Sequence, residues 1–451
     1  MTAVATSVPT VTQRLDRLPA TRFHIVWITV LGLAYLLESF DNVVFSYIAP
    51  SVQADWKLSL GQVGLVSSAV FIGMFFGAIG GGRASDRLGR KPLIVWGSVL
   101  YGLASIYSAL SPDFINLFIS RIIAGIGVEA GTGVMLVYIA ETFPRKSRGR
   151  FVSVLILIST FSAPLTSFAA LAIAPRGLEA WRWVFAIGFL GAIVGLVIAL
   201  VIPETVRWLN THGQTDQAEK VVDRLENSVT RNGRVLPPAE TAHIPTVKDS
   251  SLRELLDPRY LKRLVATALI FGMFVFALYG WITWVPTVLV HNGMTQVEAL
   301  QITSVISLFS FGAPILLFFI SDRIQRKTAI FIECGLGGIA MIVFGYMHSP
   351  VTIIIVGAIV LIAVTAGTGS FYTYIPEIFP TEVRGVGAGT VNAIGRVAGV
   401  LEGILVGVIV GALGSINLYI ILGVMWLVVA VSILILGRRT SRMSVEESGA
   451  A

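Results

Sequence analysis

Twelve stretches of the chain stay apolar for roughly the 20 residues that a helix needs to cross a bilayer core. They lie near 24–47, 61–82, 92–110, 114–138, 151–173, 183–202, 264–289, 298–320, 328–347, 351–374, 385–410 and 416–436, and are called spans 1 to 12. One polar segment is long, 203–262, and it divides six spans from six. Within it, 211–229 has helical spacing and mixed charges, which predicts a solvated helix. Residues 231–245 form a proline-containing connector. The pattern predicts an all-α membrane protein: a tail over 1–23, a six-helix bundle over 24–202, a linker with short helices over 203–262, a second six-helix bundle over 263–436 and a tail over 437–451.

Composition supports this. The 451 residues are 55% hydrophobic and only 13% charged, about half the charged fraction of soluble domains, and mean hydropathy is +0.81. The net charge of +7 needs no nucleic-acid partner, because loops retained in the cytoplasm collect Lys and Arg. With the N-terminus inside, 28 of the 33 basic residues fall on inner segments. The outer loops hold Lys57, Arg176 and Arg182, and Arg121 and Arg396 lie within spans. Both termini are therefore expected in the cytoplasm and the chain in the inner or plasma membrane. Residues 1–22 are polar and precede a full-length span, so no cleaved signal peptide is expected, and the first apolar run serves as a signal-anchor. One cysteine, Cys334, excludes a disulfide framework and a multi-cysteine metal site. His24, His212, His243, His291 and His348 are scattered, and no HExxH, Walker A or GxSxG motif occurs. Neither an enzyme nor a cofactor or metal site is expected.

The chain repeats itself. SDRLGRK at 85–91 recurs as SDRIQRK at 321–327, an offset of 236. AETFPRKSRGR at 140–150 recurs as PEIFPTEVRGV at 376–386, with Glu141 aligned on Glu377 at the same offset. A duplicated six-span unit predicts a substrate site between the halves near the bilayer midplane and rocking about it.

These motifs resemble the major facilitator superfamily along essentially the whole length. Gly81-Gly82-Arg83-Ala84-Ser85-Asp86-Arg87-Leu88-Gly89-Arg90-Lys91 resembles its loop 2–3 signature. Arg121, Gly125, Gly127, Tyr138, Glu141, Pro144, Arg148 and Gly149 resemble the span 4–5 pattern of the sugar-porter branch, and Pro203–Leu209 is similar to that branch's PESPRWL segment. Glu38-Ser39-Phe40-Asp41 is similar to the DGxD of aromatic-acid:proton symporters. The resemblance implies a metabolite:proton symporter of the kind that includes nicotinate and aromatic-acid carriers.

The clustered charges at the loop 2–3 motif suggest a conformational latch between half-bundles rather than a topology signal alone. Asp86, Arg87 and Arg90 are its members, with Asp322 and Arg323 in the second copy, and Glu141, Arg148, Glu377 and Arg384 belong to the same inner-face network.

Six ionisable residues lie within spans: Glu38, Asp41, Arg121, Glu129, Arg396 and Glu402. Each costs about 2.5–3.5 kcal/mol at a helix centre on insertion scales, which makes each a functional candidate. Counted along their helices, Asp41 and Arg121 both fall about 7 Å outside the midplane. They are expected to pair until an incoming carboxylate takes Arg121 and Asp41 takes a proton. Glu38 shares the face of Asp41, and Glu129 is placed to relay a proton inward. Arg396 is either a second anion contact or a brace between the halves. Arg396 and Glu402, six residues apart on span 11, point to different faces. Tyr279 and Trp281 in span 7, Tyr372 in span 10 and Asn392 in span 11 are further substrate-binding candidates.

The function expected is import of a small organic anion with protons by a monomeric carrier whose partners are that solute, protons and lipid. A neutral sugar or polyol is the rival substrate. A drug-exporting antiporter is disfavoured by the glycine-free span 5 (151–173), and a transporter-like nutrient sensor by the short tail after 436.

Overall fold

The computed structural model describes residues 10–231, 235–238, 255, 257–315, 324–380, 382–438 and 440. Among these it has twelve helical segments long and apolar enough to span a membrane. They are Arg22–Trp56, Leu60–Leu88, Arg90–Ala109, Phe114–Thr142, Arg148–Arg176, Trp181–Val201, Tyr260–Ile282, Gln296–Ile315, Arg326–Phe344, Pro350–Glu377, Arg384–Leu413 and Ser415–Leu436, and they keep the span numbers 1 to 12. The expected spans are all present, and spans 1, 2, 4, 5, 10 and 11 run at least one turn longer than expected.

The repeat holds helix by helix. Helices start at Arg22, Leu60, Arg90, Phe114 and Arg148 in the first bundle and at Pro258, Gln296, Arg326, Pro350 and Arg384 in the second, each pair 236 apart. The start signals repeat too. Ser59 caps span 2 in a capping box with Gln62, and Thr295 caps span 8 in one with Glu298. In each, the hydroxyl accepts an otherwise orphaned helix N–H while the longer side chain reaches back to the cap.

Two spans break where proline removes a donor. Span 5 is interrupted at Phe161, three residues before Pro164, and the Thr160 carbonyl accepts from Ser310 of span 8 at 3.5 Å. The helix of span 7 ends at Ile282 and restarts as Val285–His291 with Pro286 in its first turn. The linker helix is Thr215–Thr230, and its buried face is Ala218, Val222, Leu225 and Val229. Against it docks a helix within the expected tail, Val11–Asp16, capped by Thr10. Arg14 and Arg17 reach Glu226 at 2.6 and 2.7 Å.

The bundles meet in the half of the molecule away from this linker, called the far half. Spans 2 and 11 approach backbone to backbone there: a Cβ on Gly64 would strike the Gly403 carbonyl. Ser68 Oγ donates to the Val400 carbonyl at 2.9 Å, Ser167 of span 5 bonds Ser307 of span 8 at 2.9 Å, and Gln296 donates to Ser51. Toward the linker face the seam opens: Gly133 of span 4 and Gly389 of span 11 look onto open space, and the Glu129 and Arg396 side chains between the bundles are partly exposed. The result is a cleft between the bundles that opens at the linker face.

Candidate functional site

Two ion pairs mark the middle of the molecule. In the first, Arg121 of span 4 reaches across to Asp41 of span 1. Its Nη2 donates to Asp41 Oδ2 at 3.0 Å and to the Asp41 carbonyl at 2.7 Å, and Nη1 donates to Oδ1 at 3.3 Å. The Ser105 hydroxyl of span 3 also donates to Oδ1. The guanidinium lies 5.2 Å from the Phe185 ring centre, a favourable cation–π geometry. Both side chains are 1% exposed. Arg121 and Asp41 therefore pair, in a sealed setting with every carboxylate oxygen engaged.

The second pair joins the bundles. Arg396 Nη2 of span 11 lies 2.8 Å from Glu129 Oε2 and 3.0 Å from Oε1. The side chains are 19% and 17% exposed, so this pair touches the cleft. Of the two readings offered by sequence, the brace describes Arg396 in this conformation. Asn392 lies one turn away and donates to the Ala388 carbonyl at 3.0 Å. Tyr279 and Tyr372 are within electrostatic reach of Arg396, and Tyr372 is half exposed. Glu38 stands between the two pairs, within reach of Glu129, Arg396 and Asp41. It is 2% exposed, and its Oε2 accepts no hydrogen bond. Asp41, Glu38 and Glu129 thus form a line of carboxyls from the far half to the cleft.

A small cavity opens beside Arg121, lined by Asn42, Ser46, Ser67, Tyr279 and Thr283 among others. Tyr279 closes it against Phe71 of span 2, ring centres 4.6 Å apart. Trp281 does not line it. That indole is 3% exposed and packs edge-on against Phe344 inside the second bundle. The correction follows from helix geometry: two residues on from Tyr279 is about 200° around the axis, which turns Trp281 to the opposite face. Ser105, Asn42 and Phe185 were missed, because a lone hydroxyl, amide or ring in a span gives no signal until helix rotation is known.

The inner-face charges pair within each bundle. Arg90 bonds Glu141 at 3.0 Å and Asp86 at 3.2 Å. Asp86 is 74% exposed and Arg87 is exposed. Glu141 also accepts from Thr205 at 2.6 Å. Arg148 turns onto the Phe143 carbonyl at 3.4 Å. The start of the linker seals the corner: Glu204 accepts from the Arg90 and Lys91 amides at 3.1 Å, and Trp208 Nε1 donates to the Asp86 carbonyl at 2.9 Å. Gly89 makes room for the Glu204 carboxylate with φ of 104°, a backbone angle that favours glycine. Burial pushes the Glu204 carboxyl above its ordinary value against the opposing pull of three backbone N–H groups. In the second bundle Arg326 faces Glu377 at 3.7 Å, the repeat of Arg90 and Glu141. Arg384 opens span 11. Asp322 and Arg323 lie outside the described residues. In this conformation the Asp86–Arg90–Glu141 network is tied to its own bundle and to the linker, whereas a latch between half-bundles was expected. Among the described residues no group of three or more His, Cys, Asp or Glu is arranged to hold a metal ion.

A family model described as Major Facilitator Superfamily matches residues 31–401. The chain belongs to that superfamily. It is 33% identical over 437 residues to YyaJ, a candidate metabolite transport protein of Bacillus subtilis (strain 168), covering 96% of each chain. It is 28% identical over 443 residues to the niacin transporter NiaP of Acinetobacter baylyi, covering 97% of this chain and 99% of that one. Its fold matches the partially occluded inward-open xylose transporter XylE of Escherichia coli with a TM-score of 0.76 at 20% identity, over 94% of this chain and 99% of that one. Membership makes the protein a multi-pass membrane transporter of small molecules rather than an enzyme, with the doubled six-helix architecture of the superfamily.

Proposed function

We propose that the protein carries a small organic anion, an aromatic or other carboxylate, in symport with protons by alternating access. The Glu129–Arg396 pair carries this reading. It is the ion pair that crosses the bundles and meets the cleft, at 2.8 Å and 17–19% exposure. A carboxylate entering the cleft satisfies a guanidinium through two parallel N–H bonds, and Glu129 must let go for that to happen. Glu129, left unpaired in a desolvated site beside Glu38, takes a proton, since like charges in one site do not both stay ionised. The loaded centre is then neutral and its bundles are no longer tied by charge. Tyr279 and Tyr372 offer ring faces to an aromatic solute. Arg121 and Asp41 repeat the same exchange when the far half opens. Niacin, the solute in the name of the relative NiaP, is an aromatic carboxylate and fits this chemistry. The Lys and Arg bias favours the linker face as cytoplasmic, and symport with protons running inward across a cell membrane is import.

One observation favours a second reading. The Asn42, Ser46, Ser67 and Thr283 lining of the cavity suits a neutral sugar or polyol. Uptake into proteoliposomes separates the two: labelled aromatic and aliphatic carboxylates and neutral sugars are offered with and without an imposed pH gradient. Saturable carboxylate uptake driven uphill by external acid is the expected result. Sugar uptake without carboxylate uptake overturns the anion reading.

A further inference from the structure

Glu402 is an acid without a counter-charge at the driest part of the bundle seam. It is 0% exposed, and both carboxyl oxygens are shielded from water; among the described residues the Trp284 indole N–H is turned toward the carboxyl, outside full hydrogen-bond geometry. The seam is tightest around it. Gly403, the next residue, meets Gly64 of span 2. Ser68 bonds the Val400 carbonyl one half-turn earlier. Trp284 lies against Gly64 and Gly407, with its indole N–H near Glu402 and otherwise unpartnered.

No cation faces this acid from the elements packed on it. Span 2 has no ionisable residue between Leu60 and Gly82. Span 7 and its continuation offer Tyr279 and, at the exposed end, His291, while Tyr260, Lys262 and Arg263 stand at the opposite, linker end of the helix. Span 12 offers Tyr419, and span 10 has its titratable residues, Tyr372, Tyr374 and Glu377, on the linker side. On span 11 itself, Arg396 is held by Glu129. The repeat places Thr166 at the equivalent position of span 5, so the acid belongs to one seam and is not demanded by the architecture. A carboxylate stripped of water and counter-ion is strongly disfavoured, and the neutral acid is the form that packs there.

We propose that Glu402 is a proton-binding site that locks the far half of the seam. The bundles close over the protonated acid and part as it ionises and hydrates. Glu402 is walled off from the cleft, so its proton enters and leaves at the far face and is not carried across. It sets which way the carrier faces, not how many protons travel with the solute, and it does so whatever solute the cleft takes. One proton bound on closing changes the closed-to-open ratio by about tenfold per pH unit while the open-state acid is ionised.

Ser51, buried at the far-half contact with Gln296, reports opening when replaced by cysteine in a Cys334→Ser background. A membrane-impermeant maleimide is applied to the far face of proteoliposomes holding the full chain. Labelling, divided by that of a Gly177→Cys reference in the exposed connection between spans 5 and 6 to cancel the thiolate's own pH dependence, is expected to slow more than tenfold as far-face pH falls from about 8 to 5. In Glu402→Gln it should be slow at every pH, with the proton-to-solute ratio unchanged. Trp284→Phe, which disturbs the same packing without removing the acid, should keep the slope. Glu402→Asp should move the midpoint, and this arm decides the matter if the Gln variant does not assemble. A wild-type pH slope in Glu402→Gln, an unmoved midpoint in Glu402→Asp, or labelling that follows sodium instead of pH overturns the proposal.

Discussion

The two ion pairs at the centre of the molecule differ in where they sit and in what they join. Asp41–Arg121 lies inside one bundle at 3.0 Å with both side chains 1% exposed. Glu129–Arg396 joins the two bundles at 2.8 Å and is 17–19% exposed. The internal repeat supplies a control. At the offset of 236, Asp41 and Arg121 correspond to Ala277 and Gly357, and Glu129 and Arg396 to Thr365 and Thr160. At each of these positions the equivalent helix of the other bundle is built without a charge, and Ala277 is fully buried. The architecture therefore needs neither pair. Charges that a fold does not need, placed where lipid makes them expensive, point to the solute and its protons.

The sharpest way to break the comparison is to remove one partner at a time. Asp41→Ala or Arg121→Ala strands a charge in a water-free site and is expected to destabilise by about 3–5 kcal/mol. Joint replacement of both by apolar residues should recover most of that loss. Thermal unfolding in detergent measures it. A loss no larger than that from Glu129→Gln would erase the distinction between the sealed and the open pair.

Glu129→Gln is expected to reverse the emphasis. A partly hydrated pair contributes about 1 kcal/mol or less to stability, so the melting temperature should barely move. Transport should change far more: uphill accumulation is lost while solute exchange persists, and carboxylate binding tightens because Arg396 no longer has a rival. Arg396→Lys keeps the charge but loses the planar fork, with about a tenfold or greater fall in carboxylate affinity. Proteoliposome counterflow beside pH-driven uptake distinguishes these outcomes. Unimpaired uphill uptake in Glu129→Gln removes that residue from the coupling.

What sequence made legible here follows from period and length. Apolar runs, capping boxes and a constant repeat offset specify helices and their order, and residue counting put Asp41 and Arg121 at one depth. Rotation about each helix axis is not written in that way. Trp281 was placed in the cavity and Ser105 was overlooked for this one reason: the facing of a residue inside an all-apolar helix depends on neighbours distant in sequence. State is hidden as well. Arg121 and Arg396 look alike as intramembrane arginines, and only the closed far half and the open cleft make one sealed and the other wet.

A smaller contrast exists at the inner face. Arg90–Glu141 sits at 3.0 Å with 14% and 16% exposure, and its repeat Arg326–Glu377 sits at 3.7 Å with 25% and 31%. Glu141 additionally accepts from Thr205. Glu141→Gln is expected to cost about 1.5 kcal/mol and Glu377→Gln about 0.5 kcal/mol. Equal melting shifts would mean that the linker corner adds nothing to the first bundle.

The mildest effect is expected where an ion pair meets bulk water outside the spans. Glu226 of the linker helix is pushed up by burial, but hydrogen bonds from Arg14 and Arg17 outweigh this and hold its carboxyl below the ordinary range. A carboxyl lowered by folding stabilises the docked state above its unfolded titration point and loses that contribution as pH falls through the folded one. The helix Val11–Asp16 should therefore loosen from Thr215–Thr230 in acid below the usual carboxylate range and stay docked at neutral pH. Glu226 is 13% exposed with partners at 19–22%, and screening limits the pair to about 0.5–1 kcal/mol. Glu226→Gln should reproduce the acid effect at neutral pH as a few-fold faster proteolytic cut ahead of Arg22. The buried faces of the two helices hold the rest of the contact, through Val11 and Leu15 against Ala218, Val222 and Leu225. Cutting that stays at the wild-type rate in Glu226→Gln would mean that this apolar contact alone anchors the segment.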